Sequence, residues 1–365
     1  MCVSSGRDKK VLQVHFWGDV NSPLKGSVEN IVMSLALAMK SYAPLIASLG
    51  EKNAKSVKDC ITFYTFKEDR VKRRIFNKFF NLKVNTFSSL SEIINKERPQ
   101  ILHIHNRPVL VDKIIARLDY IPKVVCQYHR HFNEIIIPRH CDLILAVSNS
   151  VKEHIYRLTK TDRDIDVLHN PVPGGVLKVG DGLPSNRNPL PVMFYPGGNQ
   201  EHKGFRELLK SVDMLNNEKV RFKLLLAGPK LGGYRPPFEN VENLNYLAAD
   251  RLYEKLAHSD ILVLPTYNEG FSLAILEAMY LKKLVVSTYV GGNKDCLTTS
   301  NSILVRAEDP TSLYYGLKEA IGLMGQGSKT KQERAFETAT GFLPAIIASR
   351  LETIYDRLLG LSDTR

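Results

Sequence analysis

The stretch from Asp260 to Met279, DILVLPTYNEGFSLAILEAM, combines residue types that can do chemistry together. Its apolar start predicts a strand that ends at Pro265, and a polar turn then leads into a helix that begins near Phe271. The backbone N–H groups of Gly270–Leu273 would lie at the N-terminus of that helix. Such a terminus binds anions, and its size suits a diphosphate.

Two glutamates flank these amides. Glu269 precedes the predicted helix and Glu277 lies two turns into it, so the two lie about 10–12 Å apart along a helix that rises 1.5 Å per residue. Carboxylates at this separation can accept hydrogen bonds from hydroxyls at the two ends of one nucleotide-sugar. On spacing alone, two glutamates are more often a helix-start charge and a solvated face, so the spacing does not decide the function.

Short apolar runs alternate with amphipathic stretches along the whole chain, which is typical of an α/β protein with doubly wound parallel sheets. The helical stretches include Glu29–Lys40 and Val151–Leu158. The predicted strands are Val11–Phe16, Ile101–His105, Val124–Tyr128, Leu143–Ser148, Val192–Tyr195, Phe222–Ala227, Ile261–Pro265 and Leu284–Thr288.

The alternation is interrupted once, which predicts two Rossmann-like domains. Residues 1–174 form the first, residues 175–190 are a linker rich in Gly, Pro, Asn and Ser, and residues 191–341 form the second. Residues 342–365 contain an amphipathic helix that we expect to pack back on the N-terminal domain. Ligands of open parallel sheets bind beyond the carboxyl ends of the strands, so we expect a cleft with one half-site for a donor and one for an acceptor.

The sequence resembles the retaining glycosyltransferases of family four, which have the GT-B fold of two facing Rossmann-like domains. The family signature EGFxxxxxEA matches Glu269-Gly270-Phe271 through Glu277-Ala278, and Val290-Gly291-Gly292 with Asp295 follows in the family's order. Further matching pieces are Gly26-x-x-Glu29, where Ser27 replaces a second Gly, His103-x-His105-Asn106, the strand that ends in His129, Asp142–Ser148, Asn170-Pro171-Val172 and Leu224–Gly228.

The resemblance implies roles for individual residues. Glu269 would contact the donor hexose near the reacting carbon, Glu277 would hold the ribose hydroxyls, and His129 would lie near the donor sugar. Lys203 would supply positive charge where the leaving phosphate becomes negative. The residues implied to bind the donor or its diphosphate are Gly26, Gly197, Gly198, Gly270, Phe271, Ser272 and Leu273.

One position departs from the family pattern. Gly197-Gly198 stands where the family usually has Gly-Arg, so a charge-assisted clamp on the leaving group is missing. Either another cation such as Arg206 or Lys230 replaces it, or catalysis is weak.

No metal and no cofactor are expected, because helix amides and a lysine would stabilise the leaving group and the nucleotide-sugar is a co-substrate. Asp162-Arg163-Asp164 and Asp164-Ile165-Asp166 match the metal motif Asp-x-Asp. They lie in a loop at the start of a predicted strand, which favours a solvated charged loop.

Three histidines remain open on position alone. His129 ends an apolar strand, where a polar cap is more common than a catalyst, and only the resemblance favours a functional role. His103 and His105 alternate with apolar residues and so point to the same side of their strand, and either an ordinary polar or a functional role fits them.

The charge is uneven along the chain. The net charge is +12, and residues 1–175 carry 27 basic and 17 acidic side chains, against 23 and 21 in residues 176–365. The segment Phe66–Lys83 alone carries seven basic and two acidic residues, in a pattern that predicts a basic amphipathic helix. We expect it to adsorb to an anionic membrane surface, with a core-packing helix as the alternative. Nucleic acid is disfavoured, since helix-turn-helix, zinc-ligand and RNP-like patterns are missing.

The remaining composition indicates a cytoplasmic protein. The five cysteines are odd in number and scattered, which favours reduced thiols, and no run of about 18 apolar residues is present. We therefore expect peripheral attachment at the inner face of the cytoplasmic membrane.

These observations predict a retaining hexosyltransferase that uses a nucleotide-sugar, with UDP-sugars favoured. The predicted acceptor is a membrane-associated glycan or glycolipid such as lipopolysaccharide core. Two alternatives stay open. One is a nucleotide-sugar epimerase of GT-B fold, and the other is a non-catalytic glycosyltransferase-like protein, which the missing arginine at Gly198 would fit.

Overall fold

The structure is a computed structural model that describes residues 9–15, 26–50, 53–67, 88–180, 189–324 and 327–361. The chain divides into two compact units. The first comprises Met1–Val147, Val151–His169 and Ala345–Arg365, and the second comprises Ser148–Ser150 and Asn170–Pro344. The C-terminal segment therefore belongs to the first unit, although the second unit precedes it in the chain.

The first unit is built on a sheet in the order β3-β4-β2-β1-β5-β6-β7-β8. All pairs in this sheet are parallel except β3 with β4, which is an antiparallel hairpin at one edge. The residues of β3 are exposed throughout, as suits a short, charged edge strand. The strands are β1 (Lys10–His15), β2 (Ala43–Gly50), β3 (Ala54–Lys58), β4 (Ile61–Lys67), β5 (Ile101–His105), β6 (Lys123–Tyr128), β7 (Leu143–Ala146) and β8 (Ile165–Val167).

Helices connect and cover these strands. They are α1 (Ser27–Ala38), α2 (Ser88–Glu97), α3 (Val111–Ile115) and α4 (Asn149–Thr159), whose first two residues are counted with the second unit. The C-terminal helix of the chain, α11 (Pro344–Leu358), packs on this unit. Its Glu352 accepts hydrogen bonds from the backbone N–H groups of Lys40, Ser41 and Tyr42 at 2.8, 2.6 and 3.2 Å.

The second unit has a parallel sheet in the order β11-β10-β9-β12-β13-β14. Its strands are β9 (Val192–Tyr195), β10 (Lys223–Leu226), β11 (Val241–Asn243), β12 (Ile261–Leu264), β13 (Leu284–Thr288) and β14 (Ile303–Val305). The remaining helices are α5 (Gly174–Gly180), α6 (Phe205–Asn217), α7 (Ala249–Ala257), α8 (Leu273–Tyr280), α9 (Pro310–Leu323), α10 (Lys329–Thr340) and α11 (Pro344–Leu358). Strands that are buried along most of their length explain why the sequence shows short apolar runs rather than alternation.

These two mainly parallel α/β units confirm the predicted fold class. The stretch predicted as a linker begins in a helix, because residues 175–180 belong to α5 and Val176 is buried. A Cβ atom on Gly175 would come within 2.6 Å of the Tyr253 ring, so the glycine permits the close packing of this helix. Composition suggested a loop, whereas packing against the second unit makes a helix.

The predicted basic helix Phe66–Lys83 is described only at its start. Phe66 and Lys67 end strand β4, so these two residues are strand and not helix. The rest of the segment lies outside the described residues. No helix in the described ranges is long and apolar enough to cross a membrane.

The cysteines differ in state. Cys126, Cys141 and Cys296 are buried free thiols. Cys60, in contrast, takes part in a disulfide. The expectation of five reduced thiols is therefore wrong at Cys60, where neither the residue's neighbours in sequence nor its spacing carries a pairing signal.

Candidate active site

The predicted strand, turn and helix around Glu269 are present in the second unit. Strand β12 ends at Leu264 and helix α8 begins at Leu273, two residues later than expected, with Ser272 as its N-cap residue. The Ser272 side chain makes no capping hydrogen bond. The first N–H groups of α8 are therefore not capped by Ser272, and such groups bind anions.

Lys203 and Glu269 meet at this turn. The Lys203 ammonium forms an ion pair with Glu269 Oε1, and the two side chains are 23% and 13% exposed. They are 66 residues apart in sequence. The lysine therefore stands next to the carboxylate immediately ahead of the helix start, which places both signs of charge beside the predicted anion site.

Backbone contacts fix the loop that carries Lys203. The carbonyl of His202 accepts hydrogen bonds from Tyr267 N–H at 2.9 Å and from the Thr266 hydroxyl at 3.0 Å. Gly204 has a φ of 72°, and a Cβ atom there would lie 2.1 Å from Pro265 O. A residue with a side chain could not bring this loop so close to the end of β12.

The turn that carries Glu269 is held from the other side by two glycines. Gly292 N–H donates to Glu269 O at 2.8 Å. A Cβ atom would lie 2.2 Å from Glu269 O at Gly291 and 1.7 Å from Gly270 O at Gly292. The Val-Gly-Gly sequence thus has a physical reason, since only glycines allow these two backbones to touch.

Asn170 adds a third support. Its side-chain amide donates to Phe271 O at 3.0 Å, and the side chain is buried. The sequence indicated Asn170 only through the resemblance, and no spacing rule connects it with a turn 101 residues away. It is a site-building residue that the pattern of the sequence does not reveal.

Glu277 is buried on α8, with 6% of the residue exposed. Desolvation raises the pKa of its carboxyl from 4.5 to about 8. At neutral pH the group is therefore mainly protonated, and it can both donate and accept a hydrogen bond. The sequence marked the residue but not its protonation state, because burial depends on the helices packed around α8.

The structure explains why no arginine stands at Gly198. The residue has a φ of 64°, and a Cβ atom would lie 2.2 Å from Pro229 O. Its N–H donates to Ala227 O, and Asn199 N–H donates to Pro229 O, both at 2.9 Å. At Gly197, a Cβ atom would lie 2.4 Å from the Tyr195 ring. Neither glycine of this loop has room for a side chain.

Of the two cations named as replacements, Lys230 acts electrostatically on the Lys203 loop. The charges of Lys203 and Lys230 both help burial to lower the pKa of His202, whereas Glu269 opposes this. Arg206 lies on α6 and is exposed. Lys230 is thus a cation whose charge lowers the pKa of His202, the residue next to Lys203.

In the first unit, His129 directly follows β6 and is 9% exposed. Its backbone N–H donates to Asn106 Oδ1 at 2.8 Å, and Asn106 N–H donates to Gln127 O at 2.9 Å. Asn106 has a φ of 58°, a conformation that asparagine tolerates better than most residues. The end of β6 and its histidine are therefore held by the turn after β5.

The two histidines of β5 continue the same polar layer. His105 Nδ1 and His129 Nε2 lie 2.9 Å apart, and the His103 and His105 rings stack with centroids 4.2 Å apart. This confirms that the two side chains point to the same side. His103 Nδ1 lies 2.7 Å from the Tyr355 hydroxyl of α11. The two residues are 252 positions apart in sequence, and no sequence pattern predicts their contact.

Gly26 is the N-cap residue of α1, and residues 16–25 lie outside the described residues. The carboxylate of Glu29 turns back toward Gly26. Burial raises the Glu29 pKa, and hydrogen bonds from the backbone N–H groups of Gly26 and Glu29 partly offset this rise. A Cβ atom on Gly26 would lie 2.5 Å from Glu29 Oε2. This helix start thus has a capping carboxylate of its own.

The Asp-x-Asp stretch lies only partly in the predicted loop, because its last residue is in a strand. Asp166 lies in β8 and forms an ion pair with Arg357 of α11. In the ranges the structure describes, no three His, Cys, Asp or Glu side chains are grouped as a metal site would require.

Two family models match the chain in sequence. The model described as Glycosyltransferase Family 4 matches residues 33–173, and the model described as Glycosyl transferases group 1 matches residues 191–322. The chain belongs to glycosyltransferase family 4. The two matched ranges follow the two units, and the second contains Lys203, Glu269 and Glu277.

Curated relatives agree with this family. An α-1,3-N-acetylgalactosaminyltransferase of Campylobacter jejuni that acts on N,N'-diacetylbacillosaminyl-diphospho-undecaprenol is 31% identical over 43% of this chain, and the match spans only 42% of that relative. An N-acetyl-α-D-glucosaminyl L-malate synthase of Bacillus anthracis is 24% identical over 73% of this chain and 77% of the relative.

Solved structures show the same fold as this family 4 glycosyltransferase. A glycosyltransferase from Rickettsia africae superposes with a TM-score of 0.70 at 21% identity, covering 97% of this chain and 99% of that one. A sucrose-phosphate synthase from Thermosynechococcus elongatus gives 0.72 at 15% identity, over 97% and 100%. HepE from Anabaena, solved with UDP-glucose, gives 0.72 at 16% identity, over 95% and 99%. The chain therefore has the GT-B fold.

Proposed function

We propose that this protein is a retaining hexosyltransferase that moves a hexosyl group from a UDP-sugar to a membrane-associated glycan or glycolipid. The observation that carries this proposal is the Lys203–Glu269 ion pair beside the start of α8, where the Ser272 side chain makes no capping hydrogen bond. A cation and helix amides favour an anionic diphosphate there, and the carboxylate favours hydroxyls of the attached sugar.

The reaction needs one bond to break and one to form at the anomeric carbon. The bond from this carbon to the phosphate oxygen breaks, and its electron pair stays on the diphosphate. The acceptor hydroxyl oxygen bonds to the carbon on the same face, and its proton passes to the departing phosphate. Lys203 and the first N–H groups of α8 stabilise the negative charge that develops on the diphosphate.

The other site residues take the remaining parts of the donor. The amides of Gly270, Phe271, Ser272 and Leu273 face the diphosphate in this proposal, and the Glu277 carboxyl binds the ribose hydroxyls. Glu269 lies next to the transferred sugar. We propose that His129 contacts the donor sugar.

Lys230 takes the place of the missing arginine in this proposal. The loop Gly197-Gly198 has no room for a side chain, whereas the charge of Lys230 reaches His202 beside Lys203. Two lysines would then neutralise the diphosphate, although as point charges they cannot form the bidentate pair that a guanidinium makes.

Several findings support UDP and a lipid-linked acceptor. HepE, which shares the fold, was solved with UDP and with UDP-glucose. Among the relatives, one acts on a diphospho-undecaprenol-linked sugar, and another is a yeast phosphatidylinositol N-acetylglucosaminyltransferase subunit, 22% identical over 66% of this chain. Lipopolysaccharide core is the acceptor we propose within this class.

Docking at a membrane would come from the segment Phe66–Lys83. Its seven basic and two acidic residues favour anionic headgroups by about 1 kcal/mol for each cation near the surface. Neutralising Arg70, Lys72, Arg73, Arg74 and Lys78 should reduce binding to anionic vesicles but leave binding of UDP unchanged. Equal vesicle binding by the variant would rule out this docking segment.

A donor panel tests the activity. UDP-hexoses and GDP-hexoses are incubated with a membrane-derived acceptor, and the released nucleotide and the labelled lipid are measured. We expect release with a UDP-sugar and transfer of label to the lipid fraction. Conversion of the donor alone into an epimeric nucleotide-sugar would establish the epimerase instead.

Glu269→Ala separates catalysis from a scaffold role. The variant should lose transfer while its unfolding midpoint stays close to that of the parent, because Glu269 lies on a turn whose backbone is held by Gly291 and Gly292. An unchanged cellular glycan with this variant would favour the non-catalytic alternative.

A further inference from the structure

We infer that Arg130 binds a phosphate monoester of the acceptor at the carboxyl ends of the strands of the first unit. The inference deepens the proposed function, on which the existence of an acceptor rests. Arg130 comes two residues after the end of β6, and it is exposed. Its guanidinium carbon lies over the Phe132 ring, 4.5 Å from the centroid. Ligands of open parallel sheets bind beyond this end of the strands.

The loop that carries Arg130 is fixed at Phe132 by a histidine of α4. His154 Nε2 lies 2.7 Å from Phe132 O, and His154 Nδ1 lies 2.8 Å from a guanidinium nitrogen of Arg157. A carbonyl oxygen can only accept a hydrogen bond, and a guanidinium can only donate one. His154 therefore carries its proton on Nε2, which donates to Phe132 O, and accepts from Arg157 at Nδ1. These two hydrogen bonds tie the backbone of Phe132 to the helix.

The end of β6 holds the Phe132 ring as well. The Tyr128 ring packs edge-on against it with centroids 6.2 Å apart, and the Tyr128 hydroxyl donates to Ile136 O at 3.0 Å, further along the same loop. A guanidinium over an aromatic ring keeps its charge and its N–H donors. The ring thus limits the freedom of the Arg130 side chain, so less entropy is lost when that side chain binds an oxyanion.

A second arginine of the first unit provides a contrast. Arg98 lies over the Tyr120 ring at 4.4 Å, three residues before the start of β5, and it forms an ion pair with Asp119 at 3.0 Å. Within the residue ranges that the structure describes, no carboxylate forms an ion pair with Arg130. The stacked cation at the ligand-binding end of the strands therefore has its donors available for an external anion.

Charge favours phosphate over carboxylate as that anion. Residues 1–175 carry 27 basic and 17 acidic side chains, so this half of the chain attracts the more highly charged ligand more strongly. A phosphate monoester carries about 1.5–2 negative charges at neutral pH, whereas a carboxylate carries one. The planar fork of a guanidinium also matches phosphate through two parallel N–H···O hydrogen bonds.

NMR tests this site without any transfer reaction. The arginine Nε–H signals are followed during titration with methyl phosphate, and the signals of Arg130 and Arg98 are identified by their absence in Arg130→Lys and Arg98→Lys. The Arg130 signal should shift and reach half-saturation at a concentration about tenfold or more below that for Arg98. Equal responses of the two arginines, or a response of Arg130 to acetate as strong as to methyl phosphate, would overturn the inference. The titration uses no donor, so its outcome is independent of whether the protein transfers sugar.

Transfer assays then test the link to the acceptor. Arg130→Met should raise the KM for the membrane-derived acceptor about tenfold or more and leave the KM for the UDP-sugar within about twofold. Arg130→Lys keeps the charge but not the planar fork, so it should recover only part of the loss. Treating the acceptor with a phosphatase should raise the KM of the parent to that of Arg130→Met and leave the KM of the variant unchanged.

Arg98→Met is the matched control, because it also removes a guanidinium stacked on a ring of the first unit. It should leave both KM values within about twofold of the parent. If Arg130→Met raises the KM for donor and acceptor equally, or if phosphatase treatment affects parent and variant to the same extent, Arg130 does not bind a phosphate of the acceptor and the inference is wrong.

Discussion

The Lys203 ammonium and the Glu269 carboxylate neutralise each other in the structure, with both side chains largely removed from solvent. A bound diphosphate would compete with the carboxylate for the lysine. The ion pair thus holds the lysine ammonium beside Glu269 in the free protein, and donor binding would exchange one anionic partner for another.

Replacing Lys203 should therefore abolish most of the transfer activity. We expect Lys203→Met to lower kcat by about 10²–10³-fold, which is typical for the loss of one group that stabilises a developing oxyanion. Lys203→Arg should keep part of the activity because the charge remains. Steady-state kinetics with a saturating donor measure the effect.

Lys223→Met is the control for this experiment. Lys223 lies in the same unit and forms an ion pair with Glu242, but both side chains are about half exposed. It should leave kcat within about twofold of the parent. Comparable losses in both variants would mean that the kinetics report general damage and not the loss of the Lys203 charge.

Glu277 should make the protein less stable as pH rises. Its carboxyl stays protonated in the folded state up to about pH 8 but ionises near 4.5 in the unfolded chain. The folded state thus binds more protons between these values, and the free energy of unfolding falls there by up to about 1.4 kcal/mol per pH unit. Glu277→Gln should remove this slope, as measured by urea unfolding from pH 5 to 8. Equal slopes in parent and variant would contradict the prediction.

Donor binding should also release a proton from Glu277. A carboxylate accepts hydrogen bonds from both ribose hydroxyls, so binding favours ionisation of a group that is mainly protonated at pH 7. Calorimetry of UDP binding in two buffers of different ionisation enthalpy should give close to one proton released. Glu277→Gln should give none, and proton release in that variant would assign the effect to another group.

The sequence predicts most of the elements that position these residues. Strands such as β5 and β13 coincide with the predicted ranges because buried parallel strands are short apolar runs, and α11 was visible from its helical spacing. No sequence pattern predicts the Lys203–Glu269 ion pair, because the contact depends on how the loop after β9 packs against the end of β12. Only the resemblance connected the two residues.

The sequence does not predict which polar side chains are buried or which distant residues they contact. The raised pKa of Glu277, the stacked His103 and His105 rings and the contact with Tyr355 all depend on packing between distant segments. The sequence predicts a linker over residues 175–190 because Gly, Pro, Asn and Ser are frequent there, whereas in the structure Gly175 lets α5 pack closely on the Tyr253 ring.

Gly292 should tolerate no side chain. In Gly292→Ala the new Cβ would lie 1.7 Å from Gly270 O, so the backbone must move. We expect a loss of at least about 1–3 kcal/mol in stability and a loss of transfer, because the turn that carries Glu269 moves.

Gly322→Ala is the matched control. Nothing lies within 4 Å of its Cβ, and alanine in a helix should stabilise by about 0.5–1 kcal/mol. A stable, active Gly292→Ala would show that the two backbones can separate at little cost.

Restoring the family arginine at Gly198 should damage the protein. Gly198→Arg forces a side chain into a left-handed backbone conformation and within 2.2 Å of Pro229 O. We expect lower stability and no gain in donor affinity. Lys230→Ala should weaken UDP binding about tenfold, and Arg206→Ala, a control at a cation that is exposed as Lys230 is, should not. Tighter UDP binding by Gly198→Arg would mean that the loop can open to admit a guanidinium.

Glu352 should stabilise the first unit through three backbone hydrogen bonds. Its Oε1 accepts from the N–H groups of Lys40, Ser41 and Tyr42, which follow helix α1. Glu352→Leu would leave these donors without the carboxylate and should cost about 3 kcal/mol, whereas Glu352→Gln keeps a carbonyl acceptor and should cost about half as much. Arg350→Ala, exposed on the same helix, should change the unfolding free energy by less than about 0.5 kcal/mol. A Glu352→Leu variant as stable as Arg350→Ala would show that water replaces the carboxylate at these three donors.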